Sequence, residues 1–195
     1  MALRVLFFYI LYSSINDHIM VFAIGNTEAD HKIHRFLLSL FTLIEFTFFS
    51  SIIASYLTGT LRRWIVYISM VGFSIFCVYT YLATVQNFDS YPASVEGILL
   101  LIFCIFYFFE QISGQPTLLM YQSHKFWVVI GIMCYTSLNF FLFLQSSNAS
   151  VSIISKFWDI NLVSNILKNI IFAIAFVIND ENESKPIPNR HYSTF

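Results

Sequence analysis

FWVVIGIMCYTSLNFFLFLQ, residues 126–145, holds no Asp, Glu, Lys, Arg or His. Its apolar residues fall on every side of a helix, so it has no polar face to turn towards water. A helix crossing the hydrocarbon core of a bilayer needs about 20 residues. A strand of an outer-membrane barrel would alternate apolar and polar residues over segments of roughly 10. In hydrocarbon, every backbone N–H and C=O must find its partner inside the segment or the bundle, and a helix meets that demand. This stretch therefore predicts a membrane-spanning helix.

Five more runs read the same way: Val5–Ile24, Phe36–Leu57, Trp64–Thr84, Ala93–Gln111 and Ile160–Ile178. Between them stand Gly25-Asn26, Gly59 ahead of Arg62 and Arg63, Tyr91-Pro92, Gly114 to Pro116, and the polar stretch Ser146–Ser150. Each is punctuation that ends a helix. The expected fold class is all-α: a polytopic transmembrane helix bundle of about six spans occupying 1–178. Residues 179–195 read NDENESKPIPNRHYSTF, a polar stretch with two prolines and no period, and are expected to form a disordered tail. The first run has the outline of a signal peptide, with Arg4 ahead of apolar residues. Asp17 within it and the absence of a clean A-x-A site favour a retained helix.

The composition agrees with a membrane protein. Of the 195 residues 57% are hydrophobic and only 11% charged, against about 25% charged in an ordinary soluble domain. The mean hydropathy is +0.71. Lys+Arg is 10 and Asp+Glu is 11, so no basic surface is available for nucleic acid, which requires clustered Lys and Arg. Cys77, Cys104 and Cys134 each sit inside an apolar run with no CxxC spacing and read as free thiols. Arg4, Arg62, Arg63, Lys125, Lys185 and Arg190 fall on one side of a six-span topology, and Lys32, Arg35 and Lys156 on the other. The excess places both termini in the cytoplasm. Trp64, Trp127 and Trp158 lie near run ends, as interfacial anchors do.

What functional signal there is comes from polar residues within the apolar runs. An ionisable side chain at mid-bilayer carries an insertion penalty of about 2.5–3.5 kcal/mol, and persists where it faces a partner, a cavity or water. Asp17, Glu45 and Lys168 fall near the middle of the first, second and sixth runs. Lys168 can pair with Asp17 or with Glu45. Helical spacing groups further polar residues on one face of each run: Tyr9, Ser13, Asn16 and Asp17; Gly131, Tyr135 and Asn139; Asn161, Asn165 and Lys168, with Asn169 adjacent. Glu96, Tyr107 and Glu110 share a stripe of the fourth run, the two glutamates near opposite ends where water or headgroups reach. The candidate intramembrane pocket is thus Asp17, Glu45, Glu96, Asn139, Asn165, Lys168 and Asn169. Structural pairing, a binding pocket and an ion path all remain open for it.

His31 and His34, spaced i, i+3 beside Glu28 and Asp30, are weak metal candidates, and a solvated polar loop explains them equally. No HExxH, GxSxG or phosphate-cradling glycine loop is present. No cofactor is implied, and the balance points away from an enzyme. Asn148-Ala149-Ser150 and Asn182-Glu183-Ser184 fit the glycosylation triplet, which matters only in a eukaryotic secretory route.

On SINDHI at 14–19, TLIEF at 42–46, SYPASVEGILL at 90–100, FWVVIGIMCYTSLNFFLFL at 126–144 and NILKNIIFAIAF at 165–176, the chain resembles a family of uncharacterised bacterial multipass membrane proteins. The family pattern falls here on Asp17, Glu45, Glu96, Asn139 and Lys168-Asn169. The resemblance implies residence in the bacterial inner membrane and a seven-helix family fold, one helix upstream of the SINDHI-like piece. This chain departs by starting almost inside that helix. No activity comes with the resemblance. Three functions fit the residues, in this order. The first is a non-enzymatic signalling or accessory protein that binds a small or lipid-like ligand, or a partner helix, in a polar pocket. The second is a small proton- or ion-coupled transporter, and the third an intramembrane enzyme acting on lipid. Besides the bilayer, a partner membrane protein or a second copy in a homodimer is compatible with the aromatic-rich third and fourth runs.

Overall fold

A computed structural model describes residues 2–23, 28–83, 90–113, 120–146 and 151–178. The described chain is helical: α1 (Ala2–Ala23), α2 (Glu28–Tyr56), α3 (Thr60–Ala83), α4 (Ser90–Ser113), a short 3-10 turn at Met120–Gln122, α5 (His124–Ser146) and α6 (Val151–Val177). Five stretches are long and apolar enough to cross a membrane: Arg35–Tyr56, Thr60–Ala83, Tyr91–Ser113, His124–Leu142 and Asp159–Val177. In α1, which corresponds to the first expected run, the described apolar stretch is Leu3–Asn16; the side chains of residue 17 and of 20–23 lie outside the described residues. The tail at 179–195 lies outside the described residues.

Local chemistry sets the helix ends. Pro92 sits in the first turn of α4, where its missing N–H breaks no helical bond. Ser123 precedes α5, and its Oγ accepts from the Lys125 N–H at 3.3 Å, an N-cap bond. Two helices outrun their apolar stretches. α2 begins at Glu28, so His31 and His34, expected in a loop, lie on its first turns. α6 begins at Val151, ahead of the run expected from Ile160.

The helices alternate in direction. Tyr12 stacks on Phe41 with ring centroids 6.1 Å apart, while Tyr9 meets Phe49 at 4.5 Å, so α1 runs antiparallel to α2. Tyr56, at the end of α2, meets His124, at the start of α5, at 5.9 Å. Arg35, near the start of α2, donates to the Tyr81 carbonyl at the end of α3, 2.6 Å away. Arg4, Arg62, Arg63 and Lys125 thus gather at one end of the bundle and Arg35 at the other. α2 is central: Phe46 packs on Phe73 of α3 at 4.2 Å, and Phe49 faces Tyr135 of α5 and Phe172 of α6 at 6.2 and 6.3 Å. α3 is peripheral, with Trp64, Ile68, Val71, Ile75, Val78 and Leu82 exposed along its length. In water a stripe of this kind would be an aggregation hazard; in hydrocarbon it is the ordinary outer face of a spanning helix.

Where α5 meets α6 the helices touch through Gly131. A Cβ added there would stand 2.7 Å from Cε1 and 2.9 Å from Cδ1 of the fully buried Phe172. At one end of the bundle Glu110 of α4 ties the α2–α3 turn. Its carboxylate accepts from the Thr58 N–H at 2.7 Å, the Thr58 hydroxyl at 2.9 Å and the Gly59 N–H at 3.0 Å, and pairs with Arg62 at 2.8 Å. Cys77, Cys104 and Cys134 are all free thiols.

Candidate functional site

Glu45, on α2, and Lys168, on α6, meet in the bundle interior, at 5% and 1% exposure. Glu45 Oε1 and Lys168 Nζ are 3.9 Å apart, and the Tyr9 hydroxyl bridges them. Tyr9 donates to Glu45 Oε1 and accepts from Lys168 Nζ at 2.7 Å. Tyr135 of α5 donates to Glu45 Oε2 at 3.2 Å. Lys168 also donates to Asn165 Oδ1, one turn before it on α6, at 2.8 Å. The ammonium lies 3.9 Å from the Tyr135 ring centroid and 5.0 Å from that of Tyr9, so two aromatic faces add cation–π attraction. A buried ion pair is worth its desolvation only when the remaining donors and acceptors are satisfied. Here hydroxyls from two further helices and an amide supply them.

Beside this pair is a second polar group. Glu96, on α4, and Asn139, on α5, are 7% and 3% exposed. Both line a recess of about 20 Å³, shared with Glu45, Tyr135 and Thr136. Glu96 Oε1 and Asn139 Nδ2 have no hydrogen-bond partner among the described residues. Asn139 Oδ1 accepts from Ser164 of α6 at 3.2 Å, and the Thr136 hydroxyl donates to the Ile132 carbonyl at 2.5 Å. The recess exists because α4 presents Gly97 to α5: a Cβ there would approach Phe140 to 3.3 Å.

Of the seven residues singled out in the sequence, Glu45, Lys168 and Asn165 share one network, and Glu96 and Asn139 line the recess next to it. Glu96, expected near a water-exposed end, is instead buried, because α4 starts at Ser90 and carries it nearly two turns into the bundle, against α5. Asn169 does not join them. It is exposed on α6, since one residue past Lys168 turns about 100° around the helix. The side chains of Asp17, His31 and His34 lie outside the described residues. Among the described residues no group of three or more His, Cys, Asp or Glu is placed to hold a metal. Tyr9 and Tyr135 carry the pair's hydrogen bonds. Both stood on the inward faces read from the sequence, but nothing in their spacing announced that their hydroxyls converge on one carboxylate. Ser164, which links α6 to Asn139, carries no signal in the sequence that sets it apart from the other serines.

Compared with models of protein families, with curated proteins and with solved structures, the chain matches none.

Proposed function

We propose that the chain is a non-enzymatic integral membrane protein of the signalling or accessory type that receives one small ligand in the polar recess between α2, α4 and α5. The observation that carries this reading is the pair of unpartnered polar atoms, Glu96 Oε1 and Asn139 Nδ2, on residues that line one recess. Leaving a buried polar group without a partner costs about 1–3 kcal/mol, and a ligand offering complementary atoms removes that penalty. The distribution of Lys and Arg supports a topology with both termini in the cytoplasm, and the motif resemblance supports a bacterial inner membrane.

The runner-up, a small proton- or ion-coupled carrier, draws on one observation: two carboxylates, Glu45 and Glu96, share the recess, and intramembrane acids are the usual equipment of ion pathways. Against it, Lys168 is held by bonds to Tyr9 and Asn165, and no apolar run has a central proline of the kind that breaks transporter helices. A flux measurement decides. The full chain is reconstituted into vesicles of phosphatidylethanolamine and phosphatidylglycerol with a trapped pH-sensitive dye, and a proton or sodium gradient is imposed. The expected result is no flux above that of protein-free vesicles. Flux that Glu96→Gln abolishes overturns the reading in favour of the carrier.

A further inference from the structure

The proton accounting of the recess goes beyond its being polar, and it deepens the pocket reading on which it rests. Each hydroxyl that lines it spends its proton elsewhere. The Tyr135 proton goes to Glu45 Oε2 and the Thr136 proton to the Ile132 carbonyl. Their lone pairs are what the recess receives. Asn139 follows the same pattern once Ser164 is considered. Ser164 has one hydroxyl proton and two acceptors in reach, the Asn161 carbonyl at 2.8 Å and Asn139 Oδ1 at 3.2 Å. The nearer carbonyl takes the proton, and the Ser164 oxygen is then an acceptor. When a cation enters, a half-turn of the Asn139 amide would let Nδ2 donate to that oxygen and turn Oδ1 towards the ion, so that both atoms left unpartnered among the described residues would be satisfied. The polar residues described as lining the recess would then offer it oxygen lone pairs, among them Glu96 Oε1, which has no partner among the described residues.

Charge points the same way. Among the described residues two carboxylates, Glu45 and Glu96, line the recess, and one ammonium, Lys168, stands beside it. Lys168 is not among the residues lining the recess and directs its bonds to Tyr9 and Asn165. Hard cations take oxygen ligands of this mixed kind: carboxylate, amide carbonyl and hydroxyl. A volume of about 20 Å³ is enough for one small ion or one water.

The geometry points to a sodium site: one Na⁺ bound between α4 and α5 by Glu96, Asn139 and Thr136, beside the Glu45–Lys168 pair. A proton on Glu96 would supply the same charge, so the test separates the two.

The full chain in lipid nanodiscs is melted in sodium chloride and in choline chloride at equal ionic strength and at several pH values, followed by tryptophan fluorescence. Binding of ²²Na⁺ to the same samples is read by scintillation proximity. The expected result is a saturable, sodium-specific rise in melting temperature together with ²²Na⁺ that unlabelled sodium displaces. Loss of a group that supports a ligand typically weakens metal affinity roughly 10- to 100-fold, and loss of a ligand costs at least as much. Glu96→Gln should fall at the upper end and Thr136→Val, a shape-preserving change used if Glu96→Gln does not fold, at the lower. Identical melts in sodium and choline, with no displaceable ²²Na⁺, overturn the site. A melt that follows pH but not sodium identifies a proton as the occupant and overturns the sodium assignment. Native mass spectrometry keeps the two readings apart. An organic adduct carried by the wild type and lost in Glu96→Gln, without a sodium effect, overturns the ion and leaves the pocket. Absence of both overturns the pocket as well.

Discussion

Replacing Lys168 by Met tests whether the buried charge pair holds the bundle together. The two side chains are similar in length, so the core keeps its volume and loses a charge. Lys168 Nζ lies 3.9 Å from Glu45 Oε1, and at an effective dielectric near 20 a unit pair at that distance attracts by about 4 kcal/mol. The variant also strands the oxygens of Tyr9 and Asn165 that accept from the ammonium at 2.7 and 2.8 Å. It gains back the desolvation of the lysine. Removing one partner of a buried pair destabilises soluble proteins by about 3–5 kcal/mol. Tyr9 and Tyr135 still solvate Glu45 here, which places the expected loss at the lower end of that range, about 3 kcal/mol. The assay is reversible unfolding by SDS in mixed micelles, read by tryptophan fluorescence, on Lys168→Met, Glu45→Gln and the double variant. With both charges gone no uncompensated ion remains, so the double variant should be more stable than Lys168→Met alone. Lys168→Met unfolding at the same SDS fraction as the wild type, or a double variant losing the sum of the two single losses, would refute the reasoning.

Other perturbations probe separate contacts. Tyr9→Phe removes the hydroxyl that bridges Glu45 and Lys168. It should cost about 1–2 kcal/mol in the same unfolding assay, because two buried charged groups each lose one bond. Glu110→Ala releases the Thr58 and Gly59 amides and Arg62 together. It should cost about 2 kcal/mol, whereas Arg62→Ala, removing a side chain that is 31% exposed, should cost under about 1 kcal/mol; comparison of the two unfolding curves checks the order. Gly131→Ala forces a Cβ against Phe172 and should destabilise by about 1–3 kcal/mol. Gly72→Ala on α3, where a Cβ would meet nothing within 4 Å, should be neutral or stabilise by up to about 1 kcal/mol through helix propensity.

The helices were legible because their signal is summed over many residues. All-round apolar runs left one viable backbone, and the breaks at Gly59 and Pro92 mark real boundaries. The ends were less legible where a helix continues past its apolar stretch, as α2 does at Glu28 and α6 at Val151: hydropathy reports the solvent, not the hydrogen bonding, of those turns. Glu45 and Lys168 stood out as ions in oil, and their similar depth suggested a meeting. That Glu45 meets Lys168 through the Tyr9 hydroxyl needed three dimensions. Tyr9 and Tyr135 are aromatic residues in aromatic-rich runs, and period alone does not tell a hydroxyl aimed at a carboxylate from a ring in the core. Glu96 was misjudged in depth because distance from the end of an apolar run stands in poorly for burial when a neighbouring helix covers that end. The Glu110 tie to the α2–α3 turn had no local signature, since its partners are 51 and 52 residues away.

Glu45 belongs to both polar groups. One of its oxygens accepts from Tyr9 and the other from Tyr135, and its carboxylate also borders the recess with Glu96 and Asn139. Whatever enters the recess therefore acts on the same carboxylate that holds Lys168, and through the Tyr9 hydroxyl it acts on α1. A positive charge bound there, as proposed above, would compete with the ammonium for Glu45 while it neutralised Glu96, so its occupancy would be linked thermodynamically to the docking of α1. Such linkage is reciprocal: what strengthens the hold on α1 changes affinity in the recess by the same factor. An accessory or signalling protein needs such a coupling between a buried site and a helix at the edge of the bundle.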